Sequence, residues 1–103
     1  MASPVTAGIT LTRRDAPSGG GVQERFREQG LSPHSWSNGP GDRYGWHSHG
    51  YHKVLYCVKG NITFHTRDGD YRLGPGDRLD VEPGTGHAAT VGPEGVECME
   101  APR

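Results

Sequence analysis

Four histidines are spaced so that their imidazoles can act together. His47, His49 and His52 lie within six residues, and His87 follows His49 by 38 residues. In an extended chain, residues two apart project from one face, so His47 and His49 stand side by side if Arg43–Ser48 is a strand. A pair of adjacent imidazoles can grip one ion. Zinc, iron, nickel, copper and manganese all accept imidazole nitrogen, so the pattern implies a divalent transition metal ion without selecting one. The pair alone also fits two locally bonded strand histidines. What favours a metal site is His87, a third histidine in a distant segment rich in glycine and proline. His52 is a further candidate ligand if Gly50 breaks the alternation, although strict alternation from His49 points it away.

Other residues near this cluster are candidates for the pocket. Arg43 shares the histidine face by parity and is a candidate for holding a substrate carboxylate. Tyr51, beside the pair, is a candidate cover for the entrance. Tyr44 and Trp46 have the opposite parity and are expected to face a second layer. His34 and His65 read as surface or strand-pair residues, and Asp77 and Asp80 as turn and solubility residues. Cys57 and Cys98 read as reduced core residues. No Ser-His-Asp order, phosphate-cradling loop or Gly-x-Gly-x-x-Gly is present. Nucleophile-based and nucleotide-based functions drop out.

The elements that must position these residues are short. Residues 5–12 are β-prone and could form an edge strand. Val22 to Gln29 reads as a helix, with Val22 and Phe26 four apart and Gly30 to end it. After Gly30 the helical period disappears. Strands are expected over Leu31–Ser37, Arg43–Ser48, Lys53–Lys59, Ile62–Arg67, Tyr71–Leu73, Arg78–Glu82, Gly86–Val91 and Val96–Ala101, separated by glycine and proline breaks. Asp68-Gly69 reads as a two-residue hairpin turn. Some eight strands at near-regular spacing indicate an all-β sandwich or barrel with one short N-terminal helix. Residues 1–30 would pack on a barrel formed by residues 31–103, one domain overall.

Composition bounds the rest. The chain has 103 residues, 17 of them glycine and 8 proline, with a net charge of −1. That charge balance gives no basis for binding nucleic acid or anionic lipid. No apolar run is long enough for a transmembrane helix. Met1-Ala2-Ser3-Pro4-Val5 has neither a basic start nor an apolar stretch, so a cytoplasmic chain is expected.

Gly41-Asp42-Arg43-Tyr44-Gly45-Trp46-His47-Ser48-His49, with Lys53 and then Gly60, resembles the first motif of the cupin superfamily. That motif is a glycine, five residues, His-x-His, three or four residues, a glutamate, six residues and a glycine. Gly76 to His87, closing on Pro83-Gly84-Thr85-Gly86-His87, resembles the second motif. Together they span residues 41–91, about half the chain. The resemblance implies a double-stranded β-helix, a jelly-roll-like barrel, with His47, His49 and His87 on the family's metal-binding positions. Three imidazoles facing a barrel interior leave ion positions open, as in a catalytic metal site.

Three positions depart from the motifs. Lys53 stands where the family has its metal-binding glutamate, and an ammonium cannot coordinate a cation. That puts Lys53 among the pocket residues rather than the ligands. Glu82 takes the place of the second motif's proline, and Val91 that of its asparagine. Two functions follow from the resemblance. The first is a metal-dependent enzyme, oxygenase-like or next an isomerase or lyase, acting on a small molecule. The second is a non-catalytic barrel for sensing or binding. A homodimer is expected in either case, since a barrel this small gains buried surface by covering its sheet edges.

Overall fold

An unbroken apolar run from Val54 to Val58 sends successive side chains to opposite faces of one strand, and those two faces organise the molecule. The computed structural model describes residues 8–16 and 21–103. Its elements are β1 (Ile9–Thr12), α1 (Val22–Glu28), β2 (His34–Asn38), β3 (Arg43–His47), β4 (Lys53–Thr66), β5 (Gly69–Leu73), β6 (Arg78–Val81) and β7 (His87–Pro102). The sheet runs β1-β6-β4-β7-β2, with β3 also on β7 and β5 also on β4. Every pairing is antiparallel. Of the strand expected over residues 5–12, Ile9–Thr12 is present, and residues 5–7 lie outside the described residues.

Two pairs of expected strands are single strands. Lys53–Lys59 and Ile62–Arg67 join as β4, and Gly86–Val91 and Val96–Ala101 join as β7. Gly60-Asn61 and Gly92-Pro93 bend these strands without ending them. The β4–β7 register shifts between Cys57 and Lys59 and again between Gly60 and Ile62, which are the irregularities that turn a sheet. The bend is required by length. Sixteen extended residues would span about 53 Å, whereas the molecule measures 31 × 30 × 28 Å. Each long strand therefore serves both halves of a rolled sheet.

The β4–β5 turn also differs from expectation. Thr66 pairs with Gly69, so the two loop residues are Arg67 and Asp68, and Gly69 opens β5. Thr66 fixes this register, its hydroxyl donating to Gly69 O at 2.8 Å and accepting from Asp68 N at 3.2 Å.

Alternation along β4 separates two apolar clusters. Leu55, Cys57, Ile62 and Phe64 face the interior with Leu79, Val81, Ala89, Val91 and Cys98. Val54 and Tyr56 face outward, where Val22 and Phe26 of α1 cover them together with Ala101. Phe26 meets Tyr56 edge-on at 5.2 Å. A seven-residue helix is marginal alone, so this packing is what holds it.

Gly60 carries a specific constraint. Its φ is +71°, and a Cβ there would sit 2.0 Å from Gly95 O. Gly60→Ala is expected to destabilise the fold by about 2 kcal/mol or more, combining left-handed backbone strain with the clash. An unchanged midpoint in chemical denaturation would refute it.

Candidate metal centre

The three motif histidines reach one point from three supports. His47 ends β3, His49 lies two residues further on, and His87 opens β7. One ring nitrogen from each lies within 4.8 Å of the other two. Ring centroids are 4.4 Å apart for His47–His87, 4.9 Å for His47–His49 and 5.3 Å for His49–His87. The backbone fixes the loop that carries His49, whose carbonyl accepts from Gly84 N at 2.8 Å.

Hydrogen bonds also set which nitrogen is free. His47 Nδ1 lies 2.7 Å from Gly45 O, and His87 Nδ1 lies 2.9 Å from Thr85 O. A carbonyl can only accept, so each Nδ1 carries the proton and each Nε2 presents a lone pair. Nε2 of His49 and of His87 is buried with no hydrogen-bond partner among the described residues. Buried nitrogens are rarely left so. Three convergent imidazoles, two held by backbone carbonyls and two with orphaned Nε2 atoms, match the donor set and outer-shell support of a transition-metal site.

A model of the AraC-like ligand binding domain matches residues 30–98. The chain belongs to this family, within the cupin superfamily. Solved structures agree on the fold. An RmlC-like cupin from Shewanella frigidimarina superposes with a TM-score of 0.62 at 17% identity, covering 97% of this chain and 79% of that one. A cupin-2 domain containing protein from the same organism gives 0.61 at 20% identity, covering 71% of each chain. A chain from the structures of the DMSP lyases RdDddP and RnDddQII gives 0.66 at 30% identity over 73% of this chain. This cupin spans only 39% of that longer chain. Among curated proteins, nothing matches.

The cavity of this cupin, about 340 Å³, is lined by the three histidines with Lys53, Glu100, Trp36, Tyr44, Leu55, Phe64 and Ala89, and by His34 at its exposed edge. Tyr44 was expected in a second layer, and a β-bulge explains why it is here. Tyr44 pairs with Ala89 and His47 with His87, three residues of β3 against two of β7. The extra residue flips the parity within β3. Tyr44 thus joins the histidine face, where it donates to Asn38 Oδ1. Arg43, expected on that face, leaves it, stays exposed and does not line the cavity. Tyr51 packs against His49, ring centroids 5.2 Å apart and planes tilted by 40°, and is 40% exposed, beside the cavity but not in its wall.

His52 is placed apart from the other three. It points to the outer face of the sheet, where its Nε2 is 2.9 Å from Asp80 Oδ1. Arg78 grips the same carboxylate through Nε at 2.8 Å and Nη2 at 3.0 Å. Burial alone would raise the Asp80 pKa, but the Arg78 fork and His52 hold it below the usual carboxylate range. Asp77 is likewise more than a solubility residue. It is buried and accepts from Arg14 N and Gly74 N and from Arg13, anchoring two loops. His65 bridges Asp70 and Thr90, as a strand-pair histidine should.

Glu100 is a cavity residue that the motifs do not mark. It lies on β7, with Oε1 2.9 Å from Trp36 Nε1 and 3.5 Å from Lys53 Nζ. A carboxylate from the neighbouring strand thus lines the cavity beside Lys53, outside the group of three convergent histidines.

Burial, with the Lys53 charge next, holds His49 below the ordinary histidine pKa. Burial lowers His87 too, against its bond to Thr85 O. A lowered folded pKa means that the unfolded chain binds more protons as the pH falls through about 6.5. The metal-free protein should therefore lose stability from about pH 6.5 downward, through these two groups. Thermal melts of the metal-free protein from pH 8 to 5 test this. A melting temperature that rises on acidification, or a slope that persists unchanged in His87→Gln, would contradict it.

Proposed function

We propose that this cupin binds a small molecule at a divalent transition metal ion held by His47, His49 and His87, and acts on it as a metal-dependent enzyme. The observation that carries this reading is the pair of orphaned Nε2 atoms converging with His47 at the cavity wall. Such an ion, when bound, supplies Lewis-acid polarisation of an oxygen or sulfur ligand at its open positions. The chain's own residues provide the remainder. The backbone carbonyls of Gly45 and Thr85 hold two ring tautomers, Leu55, Phe64 and Ala89 exclude water, and Lys53 and Glu100 place opposite charges beside the ligand.

Oxygenase-like and lyase-like reactions both suit three imidazoles with open positions. The similarity to DMSP lyase structures supports the lyase side. A non-catalytic sensing barrel is the second reading, supported by the family's ligand-binding description and by Lys53 in place of a fourth ligand. Metal analysis of protein purified without a histidine tag tests the centre. Close to one ion per chain is expected, and less than about 0.2 per chain would overturn the metal reading.

A cytoplasmic setting and a homodimer belong to the same proposal. The setting is supported by Cys57 and Cys98, free thiols directly opposite one another on β4 and β7. Dimerisation is supported by the exposed aromatics Trp46, Tyr51 and Tyr44. Light scattering should give twice the 11.1 kDa chain mass, and a value near 11.1 kDa at micromolar concentration would refute the dimer.

A further inference from the structure

We infer that the cavity takes a small carboxylate, held between the Lys53 ammonium and the ion on His47, His49 and His87. This rests on the metal reading above. Lys53 shares the inward face of β4 with Leu55 and its side chain is 9% exposed, so its charge is confined to the cavity. The ammonium has three donors, and burying it is costly unless they are used. Glu100 Oε1 is the partner, yet at 3.5 Å it lies beyond the 2.7–3.2 Å of a direct hydrogen bond, and that oxygen already accepts from Trp36 at 2.9 Å. The remaining donors of Lys53 therefore face the cavity, where a bound ligand can accept them.

Charge points the same way. A divalent ion and Lys53 together carry three positive charges, against one negative charge from Glu100. A neutral ligand leaves that imbalance and a cationic one worsens it, whereas a carboxylate beside both cations reduces it. A purely structural ion pair would explain Lys53 less well, because its contact is long and both partners line the histidine cavity. Leu55, Phe64 and Ala89 offer an apolar wall to the rest of the ligand, and about 340 Å³ suits a short acyl chain.

Calorimetry on the cobalt(II)-loaded protein tests this with three probes of similar size: butyrate, its isostere butyramide, and the cation butylammonium. Butyrate should bind at least about tenfold tighter than butyramide, and butylammonium should not bind. Lys53→Met keeps the stem and removes the charge. It should cost at least about tenfold in butyrate affinity while cobalt stays at one ion per chain. Equal binding of butyrate and butyramide, no butyrate binding to loaded protein, or unchanged butyrate affinity in Lys53→Met would each overturn the inference. If Lys53→Met does not fold, the contrast between butyrate and butyramide on the unmutated protein decides. Protein that takes up no cobalt yet binds butyrate through Lys53 would overturn the metal reading and leave Lys53 as the anchor. Protein that binds neither would overturn both.

Discussion

Replacing His87 with alanine is expected to lower metal affinity tenfold or more. Of the three histidines, His87 is the fully buried one, its ring packed 6.2 Å from Phe64 and its Nδ1 fixed by Thr85 O. Its loss removes one of three donors and the ligand whose orientation is most constrained. The variant should also lose stability, by about 1–3 kcal/mol, because the Thr85 carbonyl loses its donor and the ring leaves a void. His65→Ala and His34→Ala should leave metal affinity unchanged, since His65 is held by Asp70 and Thr90 and His34 sits at the exposed edge. His52→Ala is the critical control. His52 serves Asp80 on the outer face, so its removal should spare metal affinity. Equilibrium dialysis across the four variants checks the set. Metal affinity lost in His52→Ala but kept in His87→Ala would show that the ligand set is misassigned.

The residues of this site were unequally legible. His47, His49 and His87 could be picked out because a metal site needs a fixed chemical type at fixed spacing, and turn residues mark the ends of their strands. Parity counting assumes an unbroken strand and so misplaces Tyr44 and Arg43, because the Tyr44–His47 bulge is invisible in residue types. The same blindness divided β4 and β7, where Gly60 and Gly92 read as breaks but act as bends. Glu100 is illegible in the sequence for a different reason. Its role depends on which strand lies beside β4, and that is set by long-range pairing of Leu55 with Glu100 rather than by a local motif. Cys57 and Cys98 read correctly as core residues, whereas the run Val54 to Cys57 is apolar throughout and its two faces are told apart only by what packs on each.

Lys53→Glu should tighten divalent metal binding by at least about tenfold, equal to 1.4 kcal/mol or more. The lysine charge already pushes the His49 and His87 pKa values down, so it bears on the ring nitrogens that would receive the ion. Substituting glutamate removes a repulsive cation from the cavity and adds an anionic oxygen. In the metal-free protein, however, the new carboxylate would face Glu100 with no lysine between them. Like charges in a confined space repel strongly, so the metal-free variant should melt below the unmutated protein. Metal binding relieves that repulsion, and the rise in melting temperature on adding zinc should therefore exceed that of the unmutated protein. Lys53→Met should fall between the two, since it removes the repulsion without supplying a ligand. The gain would carry a functional cost: with the ammonium gone and a second anion present, butyrate should no longer bind. If Lys53→Glu binds metal more weakly than the unmutated protein, position 53 does not address the ion.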